Sequence, residues 1–225
     1  MNRPGVISAT TPGTNAAAFT SATISANVCR LRRVFLTIVR FWHARITPSD
    51  IGTAKIELVN VINGSVQGMA IDGKVEFFWW GQEEGPEGPD TVAASSGRVL
   101  VFDSADECAT AATSAGWLAD ASVEMNVIDT LPTQQWLRHE HLALNPSSAL
   151  DVLNLALDFA RATQNNWDPR VGNIGRCYDK LFTANIPYFY NLDAYLPQWN
   201  RYEISALRTA LAEAIAILRA TPGTP

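Results

Sequence analysis

Two turn dipeptides between short strand-like segments constrain the fold of this chain most. The segments IELVNVI, VQGMAI and KVEFFWW (56–62, 66–71 and 74–80) have the composition of strands, and Asn63-Gly64 and Asp72-Gly73 separate them. Asn-Gly and Asp-Gly supply the positive φ angles that tight hairpin turns need. The sequence therefore predicts a three-stranded antiparallel meander in the N-terminal half.

Further strands are expected on both sides of this meander. VFLTIVRFWHARI (34–46) and RVLVFDS (98–104) are rich in the β-branched and aromatic residues that strands favour. ASVEMNVID (121–129) alternates apolar and polar side chains and is interpreted as another strand, whereas the segment after it is ambiguous.

The first helix is predicted from a capping box. Ser104 begins the sequence S-A-D-E, in which its hydroxyl caps the amide three residues later while Glu107 reaches back. We expect a helix over 104–115 that ends at Gly116, since glycine commonly terminates helices.

The C-terminal half has the apolar spacing of helices. Ser148 with Asp151 predicts a second cap, followed by an apolar stripe through about Thr163, and residues 200–220 repeat apolar residues at spacings of three and four. Strands first and helices later are typical of an α+β domain. We therefore expect an antiparallel sheet packed by helices that come mainly from the C-terminal half.

The N-terminal segment differs from the rest in composition. Residues 1–33 are rich in Ala, Ser and Thr and contain no acidic residue. This composition predicts a disordered extension, with a misassigned start codon or an organellar transit peptide as its explanation. Residues 34–225 are expected to form a single α+β domain.

The charge of this domain is clearly negative. The chain has 17 Lys and Arg against 22 Asp and Glu, a net charge of −5. Four of the basic residues and none of the acidic ones lie in 1–33, which leaves 13 against 22, or −9, for 34–225. An acidic protein repels nucleic acid and anionic membranes and associates faster with basic proteins. We expect a protein partner, and neither a nucleic-acid nor a membrane partner.

Cysteine usage and hydropathy indicate the compartment. Cys29, Cys108 and Cys177 are an odd number at wide spacing and form no C-x-x-C pair, so neither a disulfide framework nor a zinc knuckle is predicted. The sequence lacks both the stretch of about 20 apolar residues that crosses a bilayer and the apolar region of a signal peptide. These features favour the cytoplasm.

Sequence motifs for catalysis are largely absent. There is no G-x-S-x-G, no G-x-x-x-x-G-K-[ST] and no H-E-x-x-H, and GNIG (172–175) is interpreted as a turn. The best enzymatic candidate is R-H-E-H (138–141), where His139 and His141 would share a metal ion if the segment were extended. No third ligand is evident, because His43 lies far away in the sequence. We expect no enzymatic activity and no cofactor.

The segment KVEFFWWGQEEGPEGPD (74–90) joins an aromatic strand to a loop rich in carboxylates. In a strand, Phe77 and Trp79 point to one face and Phe78 and Trp80 to the other. Either other elements cover both faces, or one aromatic pair belongs to an interface. The loop is interpreted either as a solvated surface loop or as an acidic plug for a basic cleft of a partner. Its carboxylates are Glu83, Glu84, Glu87 and Asp90.

A second aromatic region, YDKLFTANIPYFYNLDAYLPQW (178–199), combines seven aromatic residues with Asn, Asp and two prolines. We expect a long loop that either packs onto the core or lines a binding surface. Together with the four carboxylates, the predicted partner-binding residues are Trp79, Trp80, Tyr188 and Tyr190.

Two stretches carry a resemblance to a known family. Residues 39–89, from VRFWHARI to EEGPEGP, and RVLVFDSADECATAATSAGW (98–117) resemble the immunity factors of the mycobacterial tuberculosis necrotizing toxin, cytosolic antitoxins paired with a secreted NAD glycohydrolase. The resemblance covers most of 34–225. It implies a one-to-one complex in which this chain occludes the NAD site of the cognate toxin.

Two other functions remain as alternatives. A metal-dependent hydrolase would use the His139 and His141 region and would require a third ligand to converge with it. A non-catalytic ligand-binding or scaffold module would use the aromatic region 178–199.

Overall fold

A long antiparallel hairpin begins the described part of the chain. The computed structural model describes residues 61–83, 90–139, 141–190 and 192–223. Strands β1 (Val61–Ile71) and β2 (Lys74–Glu83) pair in antiparallel register, and the turn between them has φ angles of 51° at Asp72 and 82° at Gly73. These positive φ angles are the ones expected of an Asp-Gly hairpin turn, so this predicted hairpin is confirmed.

The predicted turn at Asn63-Gly64 is wrong. Both residues lie inside β1, where the register is irregular between Val61 and Asn63. Gly64 pairs with Gly81 of β2, and a Cβ atom on Gly81 would lie only 2.0 Å from the carbonyl oxygen of Asn63. Close approach of the two backbones, rather than a turn, therefore requires glycine here. Residues 61–71 form one strand, and the predicted meander is replaced by a two-stranded hairpin.

The remaining strands extend this hairpin into a mixed sheet that is mostly antiparallel. They are β3 (Asp90–Val92), β4 (Ala94–Ser95), β5 (Arg98–Phe102), β6 (Leu118–Ala119), β7 (Val127–Asp129) and β8 (Pro222–Gly223). The strand order is β4-β5-β2-β1-β6, with β3 on β2, β7 on β1 and β8 on β5. The pairs made by β6, β7 and β8 are parallel. Of the strand predicted over 121–129, three residues form β7.

Five helices are present in the described residues. They are α1 (Ala105–Ser114), α2 (Leu131–Arg138), α3 (Pro146–Ala162), α4 (Gly175–Asn185) and α5 (Arg201–Ala220). Most are C-terminal and pack on the sheet, which confirms the predicted α+β fold.

Of the predicted helix ends, the Ser104 cap and the Gly116 end of α1 are present and the Ser148 cap is not, whereas the cap of α5 was not predicted. The Ser104 hydroxyl accepts a hydrogen bond from the amide of Glu107, and Gly116 has a φ of 77° just after α1, as predicted. Asn200 and Glu203 form a full capping box at the start of α5. The predicted Ser148 cap is wrong, because Asn145 caps α3 and a proline occupies its first turn.

Both faces of the aromatic strand β2 are covered. On one face, Phe78 packs edge to face against Phe159 of α3, with ring centroids 5.3 Å apart, inside the main core. On the other face, Trp79 packs with Cys108 and Ala112 of α1 in a smaller core. Of the two arrangements that the sequence allows, the structure has the one in which helices cover both faces. Burial of one such aromatic side chain contributes about 1.5–3 kcal/mol to stability.

Several predictions fall outside the described residues. They concern the extension 1–33, the strand 34–46 and most of the strand 56–62. Within the described ranges, no helix combines the length and the apolar character needed to cross a membrane.

Candidate functional site

Of the two predicted partner-binding tryptophans, Trp79 lies in the interior and Trp80 is partly buried. Trp79 is only 2% exposed and its ring lies 6.0 Å from that of Trp117. Trp80 is partly buried and packs against the main core. Trp79 is therefore a core residue in this fold, which corrects its expected role at an interface. The reason is that α1 covers the face of the sheet that would otherwise have been open.

The carboxylate loop is described only at its two ends. Glu83 is the last residue of β2, and Asp90 is the first residue of β3, where it pairs with Gln82. Glu84 and Glu87 lie outside the described residues. Asp90 is buried, so it does not project into solvent as part of an acidic plug. The expectation for Asp90 is corrected accordingly, since its place in a paired strand turns the side chain inward.

A buried ionic cluster lies beside Asp90. Asp158 of α3 is 6% exposed, and Nη1 of Arg161, one turn later, lies 3.7 Å from its Oδ1 atom. Burial raises the pKa of Asp158 to about 8; the charge of Arg161 opposes this rise and the charge of Asp90 adds to it. Asp158 is therefore mostly protonated at neutral pH, which avoids a second negative charge beside Asp90.

The cluster continues through the loop that follows α3. Arg170 donates from Nε to Oδ1 of Asp168 at 2.8 Å and from Nη2 to its Oδ2, a bidentate pair. Burial opposes ionisation of Asp168, yet the hydrogen bonds from Arg170 outweigh it and hold the pKa of Asp168 below its ordinary value. Tyr178 donates to Oδ1 of Asn154 at 2.6 Å, and burial raises its pKa to about 12. These contacts connect α3, the loop and α4.

The aromatic residues Tyr188 and Tyr190 are on the surface. Pro187–Tyr190 form a 3-10 turn after α4, which we call the aromatic turn. Tyr188, Phe189 and Tyr190 are 60%, 48% and 47% exposed, and the rings of the last two meet edge to face at 5.3 Å. Backbone hydrogen bonds from Phe189 to Ile186 and from Leu192 to Pro187, each 3.1 Å, fix the turn. About half or more of the surface of each of these three side chains is exposed to solvent.

Further along the same segment, Leu192 and Leu196 are also exposed, Leu196 at 82%. Large apolar side chains that stay in solvent side by side are typical of protein-binding surfaces, in which Tyr is enriched. By contrast, Tyr178 and Phe182 of the same predicted loop are buried on α4. The first part of the region 178–199 therefore belongs to α4 and packs into the core, and the part after α4 carries the exposed aromatic and apolar side chains.

The structure does not bring the two predicted binding regions together. The charge of Asp90 raises the pKa of Asp158, which lies near the C-terminal end of α3. The side-chain amide of Asn185, at the end of α4, donates to the carbonyl oxygen of Pro146, the first residue of α3, at 3.3 Å. A helix rises 1.5 Å per residue, so the 12 residues from Pro146 to Asp158 span roughly 18 Å. Asp90 and the aromatic turn therefore lie toward opposite ends of α3.

The histidine pair is close but incomplete as a metal site. The rings of His139 and His141 have centroids 5.8 Å apart, and both side chains are exposed. Within the described ranges, no group of three His, Cys, Asp or Glu residues has a metal-binding arrangement. His43 and Glu140 lie outside those ranges. Cys108 and Cys177 are free and buried, and burial raises the pKa of Cys108 to about 12, so it is a poor nucleophile.

Sequence reasoning missed the ionic cluster and the helix α4. Asp158 interrupts a run of buried apolar residues in α3, and a carboxylate on an apolar helix face is the signal that indicates a buried acid. Tyr178, Leu181 and Phe182 have helical spacing and are buried on α4, but the neighbouring prolines and aromatic residues favoured a loop interpretation.

Comparison of the chain with protein-family models, with curated proteins and with solved structures found no match.

Proposed function

We propose that the protein is a non-catalytic inhibitor that binds a cognate NAD glycohydrolase toxin, one to one, and occludes its active site. The observation that carries the proposal is the aromatic turn, with three exposed rings held by backbone hydrogen bonds. An exposed cluster of Tyr and Phe is the kind of anchor that dominates binding energy in protein interfaces. The identity of the partner comes from the resemblance to immunity factors of the tuberculosis necrotizing toxin.

The charge of the domain supports binding to a basic partner. The net charge of −9 for residues 34–225 would speed encounter with a positively charged cleft at low salt. Buried aromatic anchors would then slow dissociation. Such an inhibitor requires no chemistry of its own, because a surface of roughly 800 Å² on each partner suffices to block a cleft.

The decisive experiment measures NAD consumption by the purified catalytic domain of a tuberculosis necrotizing-type toxin while this protein is titrated in. We expect activity to fall linearly and to end at one molar equivalent, with a one-to-one complex on size-exclusion chromatography. Unchanged NAD turnover together with no complex would refute the proposal.

Two sets of variants identify the surface. The triple substitution Tyr188→Ala, Phe189→Ala and Tyr190→Ala should weaken inhibition at least about 30-fold, because hot-spot truncations each cost about 2 kcal/mol. The matched control is Leu118→Ala with Met125→Ala, which shortens two exposed apolar side chains elsewhere and should leave inhibition unchanged. Equal inhibition by all variants would exclude the aromatic turn as the interface.

The carboxylate loop is tested separately. Substitution of Glu83, Glu84 and Glu87 by Gln removes three charges without shortening the side chains. If the loop acts as an acidic plug, the association rate should fall and should lose most of its salt dependence. Unchanged association would mean that these carboxylates are only a solvated loop. Asp90 is left intact because its side chain is buried.

The closeness of His139 and His141 supports one alternative, a metal-dependent hydrolase. It predicts stoichiometric zinc or a similar ion after purification without chelator, and loss of that ion in His139→Ala. Elemental analysis that finds no bound metal in protein purified with zinc present would exclude this alternative.

A further inference from the structure

An open groove lies between the sheet and the first helix. Its volume is about 570 Å³, and it is open to solvent along one side. It is lined by residues from the start of β2, the end of β5 and the first two turns of α1: Lys74, Val101, Phe102, Asp103, Asp106, Glu107, Thr110 and Ala111.

The surface of the groove is mostly apolar. Phe102 packs against the smaller core around Trp79, on the face of the sheet that α1 covers. Ala111 adds an apolar wall from α1. Because core packing holds these side chains, the floor is fixed in shape. A fixed apolar floor favours aliphatic side chains or the methylene stems of long side chains.

The rim of the groove carries an excess of negative charge. Three carboxylates, Asp103, Asp106 and Glu107, line it together with one ammonium group, that of Lys74. Lys74 already lies 2.9 Å from Glu76 and 3.1 Å from Asp103, so its charge is offset within the protein. The carboxylates of Asp106 and Glu107 stand in the exposed first turn of α1. The rim therefore attracts cations and repels acidic segments.

We propose that this groove binds an extended segment of a partner protein that carries Lys or Arg residues beside aliphatic side chains. The aliphatic groups and the Lys or Arg stems lie on Phe102 and Ala111, and the cationic ends pair with the carboxylates of the rim. Both properties are needed, since a purely acidic surface holds no side chain in place and a purely apolar one does not select for charge.

The groove and the far end of β2 are separate. Lys74 begins β2 and Glu83 ends it, so roughly 30 Å of strand separates these two residues. The inference goes beyond the proposed function and does not require a toxin as the partner.

The test uses the full-length protein and a defined peptide, acetyl-Ala-Arg-Leu-Lys-Leu-Arg-Ala-amide with a fluorescent label, in an anisotropy titration. A counterpart with Glu in place of Arg and Lys serves as the negative probe. We expect saturable binding of the basic peptide, weakened by added salt, and no binding of the acidic one. Absence of saturable binding by the basic peptide would overturn the inference.

Two variants separate groove binding from general charge attraction. Asp106→Asn with Glu107→Gln removes rim charge, and Thr110→Trp fills the groove without changing its charge. Each should weaken binding about tenfold. The control, Glu124→Gln with Asp193→Asn, removes two exposed charges elsewhere and should leave the dissociation constant unchanged. Unchanged binding by Thr110→Trp, or equal weakening by the control, would show non-specific attraction to an acidic protein and overturn the inference. Circular dichroism confirms that each variant is folded.

Discussion

Replacement of Asp158 by Asn should remove a large pH dependence from the stability of the protein. Burial raises the pKa of this carboxyl group from 3.8 to about 8 in the folded state. The folded protein therefore holds the proton more tightly than the unfolded chain does. The stability that this group contributes is complete below pH 3.8 and is lost as the pH rises toward 8. Asn has nearly the same shape as the protonated acid and cannot ionise.

The magnitude follows from the width of this pH window. Between the pKa values of Asp158 in the unfolded and folded states, the free energy of unfolding falls by about 1.4 kcal/mol for each unit that the pH rises. The reason is that the unfolded chain releases a proton that the folded protein retains. Between pH 5 and pH 7, the free energy of unfolding of the wild type should fall by roughly 3 kcal/mol relative to that of Asp158→Asn. The two proteins should be closest in stability at pH 5 and furthest apart near pH 8.

Urea unfolding at pH 5, 6, 7 and 8 measures this difference. Asp179→Asn, which removes a carboxylate from the exposed face of α4, is the matched control and should run parallel to the wild type. If the difference between wild type and Asp158→Asn is the same at every pH, Asp158 is ionised in the folded protein and paired with Arg161. That result would refute the assignment of a neutral acid to the cluster.

Four further substitutions test the packing, the cap and one surface pair. Gly81→Ala should lower the free energy of unfolding by about 3 kcal/mol, because its Cβ atom would lie 2.0 Å from a carbonyl oxygen of β1; an unchanged melting temperature would contradict this. Asn200→Ala should lower the free energy of unfolding by about 1 kcal/mol, because the cap of α5 is lost, and urea unfolding measures this change. Glu203→Gln should lower it by less. Arg219→Ala should lower the free energy of unfolding by less than about 1 kcal/mol, since the ion pair of Arg219 with Asp72 is half exposed. The difference between this variant and the wild type should be smaller still at high salt.

Local signals predicted those parts of the fold that depend on local chemistry. Asp72-Gly73 forms the expected turn because nothing competes with its preferred φ angles there. Asn63-Gly64 has the same propensity, but its glycine meets Gly81 across the sheet. That requirement becomes visible only when the partner strand and its register are known. A glycine on each of two strands at opposing positions is the pattern that would have indicated close approach.

Non-local pairing explains most of the remaining differences. Strands β6 and β8 contain two residues each and pair in parallel with strands far away in sequence, so no periodicity within them predicts their existence. The alternation over 121–129 predicted a strand, but only the three residues of β7 pair with β1. The burial of Trp79 likewise depends on α1 folding back over β2. By contrast, the exposure of Tyr188 and Tyr190 was expected as one of two alternatives, and the carboxylate loop at Glu84 and Glu87 stays a prediction.

The parallel pairing of β8 with β5 has a consequence for synthesis of the chain on the ribosome. The amide of Val99 donates to the carbonyl oxygen of Thr221 at 3.0 Å, so one edge of β5 is completed by residues that are translated much later than β5 itself. About 120 residues separate the two strands, which at bacterial and eukaryotic elongation rates corresponds to roughly 6–24 s. During that interval the nascent chain carries an unsatisfied sheet edge, and a chaperone that covers extended segments would act on it there.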